Sequence, residues 1–336
     1  MPNSRRQYLQ LLDDVANPIE REFLEYVRIA VGVATIAEIE RAIESAAIAD
    51  ALRDIGVGAG ALTGVNEAIR TAYLRGGQFE APEARITFDI RNTRAENWLR
   101  NQSSSLVTRI TESQRQGIQI TLESNMRLGR NPRQTALDIV GRMGSTGRRT
   151  GGIIGLSETQ AEYVANAREQ LLSGDKRQMR QYFNRTRRDR RFDGIVNRAI
   201  EQGRPVSTKD VDRLTGRYAD RLLKTRGDAI ARTESIGALN AGRDEAVLQA
   251  IDEGVISSDL MEGEWDATSD DRTRDSHLFM DGQKRMQGEP FVSSTGARMM
   301  FPGDTSLGAG PEDLLNCRCF RIQRYNFIEQ AARRAA

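Results

Sequence analysis

Along most of this chain the apolar residues recur every three or four positions, and at about Glu253 that rhythm stops. Leu9, Leu12, Val15, Ile19 and Phe23 share one face of a helix, as do Ile36, Ile39, Ile43 and Ala47. "ETQAEYVANAREQLLSG" is amphipathic in the same way. Past Glu253, "GEWDAT", "GEPFVSS", "ARMMF" and "CRCFRIQRY" are short, β-like and separated by Gly, Pro and Asp. The chain is therefore predicted to be mainly α: a long helical N-terminal and middle region followed by a small α+β C-terminal module. Aromatics are only 6% of its 336 residues and charged residues 29%, which suits helices with thin apolar stripes better than one large core.

Local signals divide the chain further. Residues 1–90 read as a helical N-terminal arm, 91–252 as a helical middle domain, 253–325 as the small module and 326–336 as a C-terminal tail. Within the arm, "GVGAGALTG" looks like a dinucleotide-binding loop, but that loop needs a strand before it, and "AAIADALRDI" is helical. It is read as a joint between helices. "EARITFDIRN" alternates apolar and polar residues, so it is a short strand or an extended link. Asn92 or Thr93 caps the next helix, a Pro opens "NPRQTALDIVGRM", and Ser157 with Gln160 forms a capping box. "VSTKDVDRLTGRYADRLLKTRGDAIARTESIGALNAGRDEAVLQAI" reads as two helices, the second rich in small residues that favour tight packing.

No apolar run approaches the ~20 residues of a membrane span, and no signal peptide is visible at the start. The expectation is a cytoplasmic chain with no membrane partner. Its formal charge of +2 makes the whole molecule no polycation, but only four of its 49 basic residues are lysines. Arg offers a planar fork to carboxylate and phosphate; a GC-rich coding sequence also supplies Arg without any functional demand. The densest charge run is "KRQMRQYFNRTRRDRR", residues 176–191. Arg177, Arg180, Arg187, Arg188 and Arg191 there are candidates for contact with nucleic acid or an acidic partner. Met179, Tyr182 and Phe183 would form an apolar stripe beneath them. Against this stand an ordinary solvated helix face, the near-zero net charge and the lack of a base-reading motif.

The only two cysteines, Cys317 and Cys319 in "NCRC", and the only histidine, His277 in "DDRTRDSHLFMDG", all lie in the last sixty residues. A bridge across one intervening residue would be strained. On an extended strand, residues i and i+2 face the same side, so both thiols can face one metal. Zinc takes four ligands from Cys, His and sometimes Asp or Glu. The fourth here would be Asp304 in "FPGD", or Asp270 or Asp271, or a water. Spacing alone leaves open the other reading, in which the cysteines are small buried hydrophobes and the His caps a turn. Clustered carboxylates around His277 also fit a metal-dependent hydrolase or nuclease. The Glu beside the His and the Cys-x-x-Cys pair of a zinc deaminase are absent, as are a Walker loop, Gly-x-Ser-x-Gly and His-Glu-x-x-His.

The ordered series "EWDATSDDRTRDSHLFMDGQ", "EPFV", "MMFPGD" and "LLNCRC" resembles the C-terminal signature of the phage Mu protein F-like head morphogenesis family, the minor capsid proteins of tailed phages and prophages. "ARTESIGALNAGRDEA" resembles the helix before that signature, and the likeness reaches back to about residue 90. The resemblance implies an assembly role and no catalysis, with a location in the virion at the capsid interior or portal vertex after synthesis in the bacterial host cytoplasm. It implies portal protein and major capsid or scaffolding protein as partners, and contact with double-stranded DNA. The pattern's His and Cys positions fall on His277, Cys317 and Cys319, which implies zinc as the cofactor. Relatives that carry a further His before the Cys pair differ from "GPEDLLNCRC" here.

Overall fold

The computed structural model describes residues 5–33, 35–45, 62–268 and 270–336. Gly56, Gly58, Gly60 and Ala47 lie outside them. Among the described residues the chain is mainly helical, with small strands concentrated at the C-terminal end, as its apolar rhythm predicts. The helices are α1 (Arg5–Val33), α2 (Ile36–Glu44), α3 (Thr63–Ala84), α4 (Thr93–Arg127), α5 (Pro132–Val140), α6 (Glu158–Leu172), α7 (Lys176–Gln181), α8 (Asp193–Gln202) and α9 (Thr208–Asp252). A hairpin of β1 (Arg142–Met143) and β2 (Arg149–Thr150) separates α5 from α6.

Helix starts follow the chemistry of their first residues. Asn92 accepts from the Arg94 N–H at the head of α4. Asn131 and Gln134 form a full capping box in front of α5, with Pro132 at its first position, and Ser157 and Gln160 do the same for α6. "EARITFDIRN" is not a strand: Glu83 and Ala84 end α3, and the rest is turn, bend and coil up to α4. The expected pair of helices after Val206 is one continuous 45-residue helix, α9. Gly216 lies inside it and packs closely on the β1–β2 hairpin side, where an added Cβ would come 3.3 Å from the Gly151 Cα.

The chain forms two compact units that interleave along the sequence. The first comprises residues 1–22, 64–103 and 228–336; the second comprises 23–63 and 104–227.

In the first unit α3 packs on the C-terminal half of α9 through glycines. A Cβ at Gly76 would collide with the Leu239 carbonyl oxygen, and one at Gly242 with that of Tyr73. The module then docks on polar side chains of α9. Its strands are β3 (Met261–Asp266), β4 (Lys284–Met286), β5 (Phe291–Val292), β6 (Arg298–Met299) and β7 (Phe320–Tyr325), with short helices α10 (Asp275–Leu278) and α11 (Pro311–Leu314). The last helix, α12 (Phe327–Ala335), follows β7. β3 is the central strand of an antiparallel sheet of order β4-β3-β7, with Asp266 opposite Phe320. Asn240 donates to the Pro302 carbonyl and to the Tyr8 hydroxyl. Arg243 donates to Glu80 at 2.9 Å and to the Arg321 carbonyl, and its guanidinium lies 4.4 Å from the Phe320 ring centroid. Arg321 in turn donates to Asp244 at 2.6 Å. These charges are buried, so their pairing offsets a desolvation cost of several kcal/mol per ion.

In the second unit α2 packs on α5, and Gly155 lies where Val27 and Leu223 leave no room for a Cβ. Arg130 and Arg168 are buried among Asp138 and Asp212.

Candidate metal centre

Three pieces of local structure bring the donors together. α10 is a single helical turn pinned to β3, because Gly282 donates to the Trp265 carbonyl and Trp265 to the Gln283 carbonyl. This places His277 edge-on to the buried Trp265 ring, with centroids 5.7 Å apart. α11 ends in a turn through Asn316, whose φ of 54° is left-handed, a conformation Asn tolerates better than most residues. "NCRC" is therefore not the closing strand itself. It is the turn that feeds β7, which begins at Phe320. The Thr268 hydroxyl ties this turn down by donating to the Arg318 carbonyl at 2.8 Å.

The two thiols converge on one ring nitrogen. His277 Nδ1 is 3.3 Å from Cys319 Sγ and 3.5 Å from Cys317 Sγ. The three donor atoms lie within 4.8 Å of one another, and all three residues are buried. Cys317 and Cys319 are free thiols. A hydrogen bond between the two thiols, with His277 Nδ1 beside them, holds the Cys319 thiol below its ordinary value, while the same bond and burial push Cys317 up. Cys319 is thus the thiol of the pair that gives up its proton more readily, and the thiolate is the form that binds a metal.

The other face of the ring meets a carboxylate that the sequence reading did not single out. Asp313 Oδ1 is 3.6 Å from His277 Nε2, too long for a hydrogen bond but close for a charge. Asp313 is buried and accepts from the Ser276 hydroxyl at 3.0 Å and the Thr295 hydroxyl at 3.1 Å. A carboxylate on one ring nitrogen favours the proton there and leaves the other nitrogen's lone pair for a metal. Its signal was present in "GPEDLLNCRC", four residues before Cys317.

Asp304 stands apart from this cluster. Its two carboxylate oxygens accept from the Met300 and Ser306 backbone N–H groups, so it closes a loop. The alternatives fare no better: Asp270 is forked onto Arg318 at 2.7 Å and Asp271 is exposed. Among the described residues the centre offers three protein donors. Two thiols and an imidazole form a soft set that fits zinc, with one position left to a small ligand. Cys317 also lines a cavity of about 740 Å³, which gives a metal a route in. The carboxylates expected near His277 are engaged elsewhere or exposed: Asp281 accepts from the Ala267 N–H, and Asp275 is exposed.

The arginine run is divided by its own acids. Met179 and Tyr182 are fully buried beneath it, as the apolar stripe required. Arg188 forks onto Asp193 and Arg191 onto Asp189. Hydrogen bonds from Arg191, backed by the charge of Arg221, hold the Asp189 carboxyl down at about 2. Arg177, Arg180 and Arg187 are exposed.

Residues 192–322 match the family model described as phage Mu protein F like protein. The match contains α8, α9 and the module up to Ile322, and with them all three metal donors and Asp313. The likeness read from about residue 90 onward is matched only from residue 192. No curated protein and no solved structure matches the chain. No helix among the described residues is long and apolar enough to cross a membrane.

Proposed function

From the match of residues 192–322 to the phage Mu protein F like family model, we propose that the chain is a minor capsid protein acting in phage head morphogenesis. The observation that carries this reading is the family match, which encloses the whole module and its buried His277, Cys317 and Cys319. The role proposed is structural. It works from the virion, at the portal vertex or capsid interior, with portal protein and major capsid or scaffolding protein as partners. Exposed Arg177, Arg180 and Arg187 support contact with double-stranded DNA.

In this reading His277, Cys317 and Cys319 hold one zinc ion that joins α10 to the turn before β7. A bound zinc supplies folding free energy to a module whose strands are only two to six residues long. Asp313 orients the imidazole, and the buried Trp265 ring packs against it. The test of the assembly role is co-purification with portal protein from procapsids. Particles that assemble normally and package DNA after deletion of the gene would contradict it.

A further inference from the structure

The formal charge of +2 conceals a division. The second unit carries 28 basic and 19 acidic residues, a formal +9; the first carries 21 and 28, a formal −7. Much of the positive excess gathers on the N-terminal half of α9. Lys209, Arg213, Arg217 and Arg221 follow one another at four-residue intervals and are all exposed. They make one row of cations about 6 Å apart along the helix axis. Arg213 stacks on Phe192 at 4.9 Å, and Arg221 donates to the Arg188 carbonyl at 2.6 Å, so the row continues into the 176–191 run.

A pocket of about 330 Å³ opens at the middle of the row. Lys209, Arg213 and Arg217 line it on the α9 side, Arg142 lines it from the hairpin, and Gly151 and Gly216 bring backbone close at its floor. Two carboxylates are also in its lining: Asp220, which accepts from the Gly151 N–H at 2.7 Å, and Asp212, which is already shared by Arg130, Arg142 and Arg168, at 2.9, 2.9 and 2.5 Å. The same three guanidiniums reach Asp138. Three cations on two carboxylates leave a surplus of one positive charge, and Arg130 and Arg168 are each 4% exposed. A phosphodiester carries the one negative charge that this surplus lacks.

We propose that the pocket and the α9 row seat the phosphate backbone of duplex nucleic acid, with one phosphodiester in the pocket. The lining favours this over other polyanions. It contains no large apolar side chain, whereas a protein partner is held by buried aromatic or aliphatic anchors. It contains no aromatic ring, whereas single strands are held by base stacking. The seat rests on the DNA contact proposed above but uses residues outside the 176–191 run.

The experiment measures binding of the full chain to a duplex of mixed sequence across a salt series, for the wild type, for Lys209→Gln/Arg217→Gln and for Arg177→Gln/Arg180→Gln. Melting temperatures establish that each variant is folded. The expected result is steep salt dependence in the wild type, with the α9 variant's log–log slope shallower by about 2, at 0.9 per phosphate contact. Wild-type binding that the α9 variant leaves unchanged and the Arg177/Arg180 variant abolishes would place the DNA contact elsewhere and overturn the seat alone. No duplex binding at low salt would remove the DNA reading with it. Polyglutamate or single-stranded DNA bound as tightly as duplex at equal ionic strength would also overturn the proposal.

Discussion

Asp313 and Asp189 show how single carboxylates set the character of the two regions that matter. Asp313 lies 3.6 Å from His277 Nε2, on the side of the ring opposite the thiols. Asp313→Asn should weaken zinc binding about 10- to 100-fold while the Ser276 and Thr295 contacts keep the loop folded, as a competitive chelator titration would reveal. Asp189 anchors the arginine run, and its carboxyl at about 2 lies below the ordinary 3.8. A depressed folded value means a stabilising contribution present above 3.8 and lost as pH falls from there to about 2. Asp189→Asn should therefore flatten the loss of stability over that interval, read as melting temperature against pH. At this scale the sequence was informative about donors and silent about their supports. The only His and the only two Cys of a chain stand out by type, but one Asp among many is picked out only by its place behind the ring. Asp304 was a reasonable fourth ligand by chemistry; it is held away because backbone N–H groups claim both its oxygens.

The informative element is α9. Its small residues were legible as a tight-packing surface, and Gly242 against the Tyr73 carbonyl is where that packing is tightest. Gly242→Ala should cost about 1–3 kcal/mol, or more if α3 cannot shift, and denaturant titration would record it. The next residue tests the polar side of the same contact. Arg243→Ala leaves Glu80 buried without its cation and should cost about 3–5 kcal/mol. An unchanged unfolding midpoint for Arg243→Ala would deny that this pair holds α3 to α9. The continuity of α9 was not legible. Local propensity penalises glycine, yet Gly216 and Gly227 both lie inside α9, and at Gly216 an added Cβ would come 3.3 Å from the Gly151 Cα. The Ser157–Gln160 capping box was legible for the opposite reason, since it acts within four residues of chain.

For the molecule as a whole, the mainly α architecture and the change of character at Glu253 follow from apolar periodicity, and α9 ends at Asp252. The two compact units do not follow from it, because each gathers segments from distant parts of the chain. That interleaving is why a net charge of +2 does not describe either unit. The charges are segregated in space between units that no continuous stretch of sequence delimits. The module shows the reverse: His277 and Cys317 are forty residues apart, yet the family resemblance of the ordered series placed His277 with both thiols. Metal content of the purified chain, measured beside Cys317→Ser with the melting temperature of each, tests the centre most directly. One zinc per wild-type chain is expected, lost in the variant together with several degrees of melting temperature. A wild type that binds no zinc when zinc is supplied, and melts at the same temperature as the variant, would contradict it.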